Sequence, residues 1–314
     1  HSGTQALGNG QDGLHLRDGT ANNTIGGTAP TARNIIAGNG DDGIEIAGNA
    51  SRDNQVLGNA IGTRADGLAA VANGGHGIHL NGANATIVGT AATGNLISGN
   101  GGDGVRIVAG GGNWVRGNVI GLNADQSAVL ANGDNGIVLA AGALSNVIGG
   151  SWWNQGNVIG GHAAGAGIVL TDAFTRGNTV AGNTLGTNLA GALVAGNGID
   201  VRISAGARDN AIGGGAPAGA NLMVRHFGQG GVVITDAASR GNAVVGNRII
   251  GTAGPAIDLG HDGLTPNDDD DSDIGPNDLQ NTPIISHVVA DGANSRIRGL
   301  LQSTPLSHFR LEIY

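Results

Sequence analysis

Apolar residues in this chain come in short bursts, two positions apart, each bounded by glycine or asparagine. One burst has the form G-I-x-I: Gly13-Leu14-His15-Leu16, Gly43-Ile44-Glu45-Ile46, Gly77-Ile78-His79-Leu80, Gly104-Val105-Arg106-Ile107, Gly136-Ile137-Val138-Leu139, Gly167-Ile168-Val169-Leu170, Gly198-Ile199-Asp200-Val201 and Gly231-Val232-Val233-Ile234. Ala256-Ile257-Asp258-Leu259 is a degenerate last copy. A second burst, N-x-I/V-x-G, is seen at Asn54-Gln55-Val56-Leu57-Gly58 and Asn113-Trp114-Val115-Arg116-Gly117; a third, N-x-I, at Asn59-Ala60-Ile61 and Asn118-Val119-Ile120. Alternation by two puts both apolar residues on one face and the residue between them on the other, which is a strand and not a helix.

Three such strands return in fixed order about every 31 residues, with no helical pattern between them. Each strand then has no partner except its copy in the next coil. The predicted fold is all-β: a right-handed parallel β-helix, a three-sheet solenoid of about nine coils. Ile44, Ile78, Val105, Ile137, Ile168 and Ile199 are expected to form one buried column. Glycine and asparagine at the corners are expected to supply left-handed backbone. Every other coil carries a larger corner loop (28–33, 91–94, 151–156, 215–220), giving a super-repeat of roughly 62 residues.

The 314 residues include 62 Gly but only three Phe, three Trp and one Tyr. So little aromatic volume suits thin repeated layers rather than one thick core. The net charge of −9 and the lack of a basic run exclude nucleic acid as a partner. No apolar run approaches the ~20 residues of a membrane span. The chain has no cysteine, and a solenoid bonded coil to coil needs no disulfide staple. The start, HSGTQALGNG, lacks the regions of a signal peptide. The expectation is therefore a mature or excised piece, its first coil a cut through a longer helix.

With these motifs, and runs such as "NTIGGT…RNIIAGN…DGIEI", residues 8–260 resemble the parallel β-helix repeats of the pectate-lyase-like superfamily, and among them large bacterial secreted or surface proteins. The resemblance implies an extracellular or cell-surface bacterial location and further domains of a longer parent chain. "NDDDDSDIGPNDLQNTPII" at 267–285 looks like the acidic segment that closes such helices before a β-sandwich module. The expected division is a parallel β-helix over 1–262, an acidic closing segment over 263–283, and a truncated β-sandwich or covering hairpin over 284–314. The superfamily includes lyases, hydrolases and adhesins, so the fold does not set the function. Its lyases pair an Arg base with clustered Ca²⁺-binding Asp and its hydrolases cluster Asp with His; neither set maps residue by residue onto this chain.

With Ile, Leu and Val inward, the outward residues of the first strands are His15, Glu45, His79, Arg106, Val138, Val169, Asp200, Val233 and Asp258. Two residues before each Ile runs a second column, Asp12, Asp42, His76, Asp103 and Asn135. Stacked strands lie ~4.8 Å apart, so the first four coils share a polar stripe while the middle coils carry Val. Glu45 and His79, with Asp42 and Asp103, are the candidate catalytic residues; His15, His76 and Arg106 are candidate substrate contacts. The competing expectation is a solvated face with charges paired across the ladder. Trp152 and Trp153 can stack on sugar rings or pack a loop onto the flank. Asp268, Asp269, Asp270, Asp271, Asp273 and Asp278 form a candidate Ca²⁺ site, or an acidic linker. His162, His226 and His261 are expected to be exposed, and His1 lacks partners for a copper site.

Two functions fit: a structural or adhesive stalk binding polysaccharide or cell-surface glycan, or a polysaccharide lyase or glycoside hydrolase using the polar stripe.

Overall fold

The computed structural model describes residues 8–224, 230–251, 254–292, 294–306 and 308. Three parallel sheets wind around one core as a right-handed β-helix. The first has nine strands, from Leu14–Leu16 to Ile257–Leu259, and the others have eight each, from Thr24–Gly26 to Ala243–Val245 and from Ile35–Ile36 to Arg248–Ile250. Each strand pairs with its copy one coil away. Coils are numbered by their first-sheet strand. No helix among the described residues is long and apolar enough to cross a membrane.

Ile44, Ile78, Val105, Ile137 and Ile168 stack in register and are fully buried. The next member is Val201 and not Ile199, because Val201 is the residue opposite Ile168. The cause is the corner: Ile199 follows Asn197 by only two positions, whereas Ile137 follows Asn132 by five, so Ile199 comes too early and Val201, four positions on, takes the core place. The pairing is thus shifted by two residues from the motif, which keeps the alternation of faces but moves each residue one step along its row, so that Ile199 stands opposite Ala166. Arg202 therefore continues the outward column, between Val169 and Val233, and Asp200 is turned into the corner, where it accepts from Asn197 Nδ2 at 2.9 Å.

The corners divide their work differently from expectation. In the short corners Gly58, Gly117, Gly182 and Gly246 take the left-handed φ, while the asparagines that follow them do not. A Cβ on Gly117 would also lie 2.2 Å from the Thr90 carbonyl oxygen. The asparagines instead form buried ladders. Asn118 donates to the Val88 carbonyl (2.9 Å) and to Asn157 Oδ1 (2.9 Å), and its own Oδ1 accepts from the N–H and Nδ2 of Asn95. One side chain thus satisfies two buried main-chain groups of the preceding coil and links to the side chain of the next, each bond contributing ~1 kcal/mol net.

The two-coil super-repeat is present at both corners. Loops between the second and third sheets are long in coils 1, 3, 5 and 7, and loops 62–72, 121–131 and 186–196 are long in coils 2, 4 and 6. The latter reach across a skipped coil: Ala124 N–H donates to the Gly67 carbonyl at 3.0 Å, and Asn188 Nδ2 to that of Gln126 at 3.1 Å.

At the C-terminal end, Asn277 takes the last place in the second-sheet ladder, receiving the Asn242 N–H at 2.9 Å. A cavity of about 360 Å³ lies between the closing segment and the last core residues Ile234, Val244, Ile257 and Leu259; it holds none of the candidate site residues. Strands Ile284–Asp291 and Asn294–Leu300 form an antiparallel hairpin exposed along both strands.

Candidate functional site

The register lines up His15, Glu45, His79 and Arg106 on the outward face of the first sheet. Beside them the second column is itself a ladder. Asp12 Oδ1 accepts the Asp42 N–H (3.1 Å), Asp42 Oδ1 that of His76 (2.6 Å), and His76 Nδ1 that of Asp103 (2.9 Å). Asp103 Oδ1 takes the Asn135 N–H (3.1 Å), and Asn135 Oδ1 that of Ala166 (2.9 Å). Each side chain thus caps a main-chain donor that the bend between sheets leaves unpaired.

The second carboxylate oxygens reach outward. His79 Nδ1 lies 3.0 Å from Asp42 Oδ2 and 3.8 Å from Glu45 Oε1. His15 bridges Asp12 (3.4 Å) and Glu45 (3.3 Å), Arg106 Nη1 donates to Asp103 Oδ2 at 2.9 Å, and Asn81 Nδ2 donates to Glu45 at 3.2 Å. His76 and His79 meet edge to face at 5.4 Å. The stripe is less exposed than the sequence suggested: Asp42 and Asp103 are buried, and Glu45, His76, His79 and Arg106 half-buried. Further along the column Val138, Val169 and Val233 are buried in a cluster with Ala140, Ala166 and Ile199. Asp258 is buried too, accepting N–H groups of His261 and Gly263.

Burial pushes the His76 imidazole below its ordinary value, against the pull of Asp103 and Asp42. That agrees with a bare Nδ1 accepting from Asp103. Burial also pushes Asp42 upward, but hydrogen bonds from His79 and the His76 N–H outweigh it, and its carboxyl lies below the usual range. Asp12 is raised, first by burial and then by the Glu45, Asp42 and Asp41 carboxylates, despite the Asp42 N–H. Asp12, His15 and Glu45, and likewise Asp12, Asp41 and Asp42, bring potential ligand atoms within 4.8 Å of one another.

The acidic candidates separate. Asp268, Asp271 and Asp273 converge within 4.8 Å, and Asp273 Oδ1 is buried without a hydrogen-bond partner. Asp269 accepts from Gln302, and Asp278 pairs with Arg240 at 3.3 Å. Asp270, with positive φ, is an exposed turn residue. An all-carboxylate set with an orphaned oxygen fits a hard cation such as Ca²⁺.

Trp152 and Trp153 lie in the coil 5 corner between the second and third sheets, away from the stripe, 74% and 80% exposed. They do not pack the loop onto the flank. His162 is buried where it was expected exposed: it replaces asparagine in a corner ladder, between Asn132 and Asn197. His261 is exposed, while His1 and His226 lie outside the described residues. Sequence reasoning missed Arg202, Asn81 and Arg116; the shortened Asn197 corner was the available sign of the first.

No family model matches the chain, and no curated protein matches it in sequence. Among solved structures it is similar to an alginate lyase from Paenibacillus sp. str. FPU-7, with 18% identity and a TM-score of 0.42, over 80% of this chain and 93% of that one. Likeness at that level transfers no activity. What its own coil-by-coil sheets establish is that the chain is a right-handed parallel β-helix repeat protein.

Proposed function

We propose that this protein is a secreted or cell-surface bacterial stalk, non-catalytic, that binds polysaccharide along the polar stripe of coils 1–4. The observation that carries this reading is the commitment of the stripe's carboxylates. Asp12, Asp42 and Asp103 each spend an oxygen on a main-chain N–H of the next coil, and Asp42 and Asp103 hold His79 and Arg106 with the other. Groups fixed in this way present a stiff row of donors and acceptors at strand spacing, suited to the hydroxyls of an extended glycan, with Arg106 for an anionic group. In affinity electrophoresis through polygalacturonate, wild type should be retarded, Arg106→Ala should lose most of the retardation, and Glu45→Gln little. Unretarded wild type, on this and on neutral polysaccharides, would refute the reading.

One feature favours an enzyme. An imidazole held by Asp42 with Glu45 beside it is a usable acid/base pair, as a polysaccharide lyase or glycoside hydrolase needs. Release of unsaturated uronates or reducing ends, abolished by Glu45→Gln with binding retained, would establish that alternative. We also assign Asp268, Asp271 and Asp273 as ligands of a structural Ca²⁺ that stiffens the closing segment.

A further inference from the structure

All three tryptophans of the chain fall on two adjacent coils, at one corner of the solenoid. Trp114, on the second sheet of coil 4, stands opposite Val147 of coil 5, and Val115 opposite Ile148. Just past Gly149 begins the loop that carries Trp152 and Trp153, and the Gln155 carbonyl of this loop accepts the Gly117 N–H at 3.1 Å. Arg116, one residue beyond Val115, therefore comes at the mouth of the loop. Trp114, Trp152 and Trp153 are 42%, 74% and 80% exposed. The corresponding loops of coils 1, 3 and 7, at 28–33, 91–94 and 215–220, hold no aromatic residue. The corner geometry therefore does not require the indoles.

Arg116 adds charge to the same corner. Its guanidinium stacks on Trp114, 3.1 Å from the ring centroid, and Nε and Nη2 are buried without a hydrogen-bond partner. Among the described residues no carboxylate forms an ion pair with it. Exposed indoles beside an unneutralised cation lose contact with water and gain a counter-charge when a ligand covers them.

We infer that this corner is a second polysaccharide-binding site, separate from the stripe, for a chain containing uronic acid units. The inference rests on the glycan-binding reading of the protein but not on the stripe. Trp152 and Trp153 offer flat apolar faces to the C–H faces of successive pyranose rings, and Arg116 attracts a carboxylate. Two or three indoles of ~150–250 Å² each fall short of the ~800 Å² per partner of a stable protein interface. A linear chain a few rings wide fits this patch better than a folded partner. Because the stripe lies on the first sheet and this platform at the corner of the other two, one molecule can bridge two polysaccharide chains. Bridging raises avidity without new contacts.

The test compares Trp152→Ala/Trp153→Ala, Arg116→Gln and Arg106→Ala with wild type. Each is measured by affinity electrophoresis in polygalacturonate and in hydroxyethylcellulose, with circular dichroism to confirm the fold. The double tryptophan variant should bind polygalacturonate about tenfold more weakly (a difference of ~1.4 kcal/mol) and lose tryptophan fluorescence changes on binding. Arg116→Gln should weaken polygalacturonate but not hydroxyethylcellulose. Loss through Arg106→Ala with none through the tryptophan variant would overturn the platform and leave the stripe standing; the converse would overturn the stripe alone. Tryptophan-dependent binding to anionic phospholipid vesicles, without polysaccharide binding, would overturn the proposal in favour of a membrane contact.

Discussion

His162 offers a sharp test of how the corner ladders work. Its Nδ1 faces Asn197 Oδ1 at 3.2 Å and must donate; its Nε2 faces Asn132 Nδ2 at 3.4 Å and must accept. Only the neutral ring does both. Protonation would set two donors against each other inside the core, and burial pushes the imidazole down to about 4 from 6.5. A His whose folded pKa is depressed costs nothing above its unfolded pKa. Its destabilisation grows as pH falls from about 6.5 towards 4, where the unfolded chain binds a proton that the folded chain refuses. At about 1.4 kcal/mol per pH decade, the loss reaches ~3 kcal/mol. His162→Asn should continue the ladder with a group that does not titrate in this range. Urea unfolding at pH 7, 5.5 and 4, followed by tryptophan fluorescence, reads this locally, because Trp152 and Trp153 lie in the same coil. Wild type should lose ~3 kcal/mol more than His162→Asn between pH 7 and pH 4. His76, whose pKa is also lowered, contributes equally to both proteins and cancels. Parallel pH curves for the two proteins would refute the reasoning.

Asp103→Ala should destabilise by ~2–4 kcal/mol, since it strips the Asn135 N–H and the Arg106 guanidinium of a buried acceptor; Glu45→Gln should stay within ~0.5 kcal/mol, and equal effects in chemical denaturation would argue against the second-column ladder. Val201→Asp buries an unpaired charge in the core column and should cost more than Ile199→Asp, which sits in the outward cluster; the reverse order of melting temperatures would contradict the shifted register. EDTA should lower, and added Ca²⁺ raise, the melting temperature of wild type but not of Asp271→Asn/Asp273→Asn, because a ligand of the folded state stabilises by mass action. Identical melting curves would remove the proposed Ca²⁺ site.

The winding of this protein is written in its sequence because the deciding pattern is local. Alternation by two assigns inward and outward faces within each strand, and glycine at Gly58 or Gly117 marks a bend without reference to distant residues. The alternating loop lengths were equally legible, as was the lining up of His15, Glu45, His79 and Arg106, since each holds the same place in its G-I-x-I strand. What the sequence left open depended on neighbouring coils. The early G-I-x-I copy after Asn197 shifted the pairing by two residues, so that Arg202 took the outward place and Asp200 fell back into the corner, because pairing with the preceding coil, not the motif, fixes the position. Burial of Asp42 and Asp103 likewise follows from main-chain donors supplied by the next coil. The same holds for His162, whose place in a ladder is set by Asn132 and Asn197, residues far from it in sequence and adjacent only once the coils have stacked.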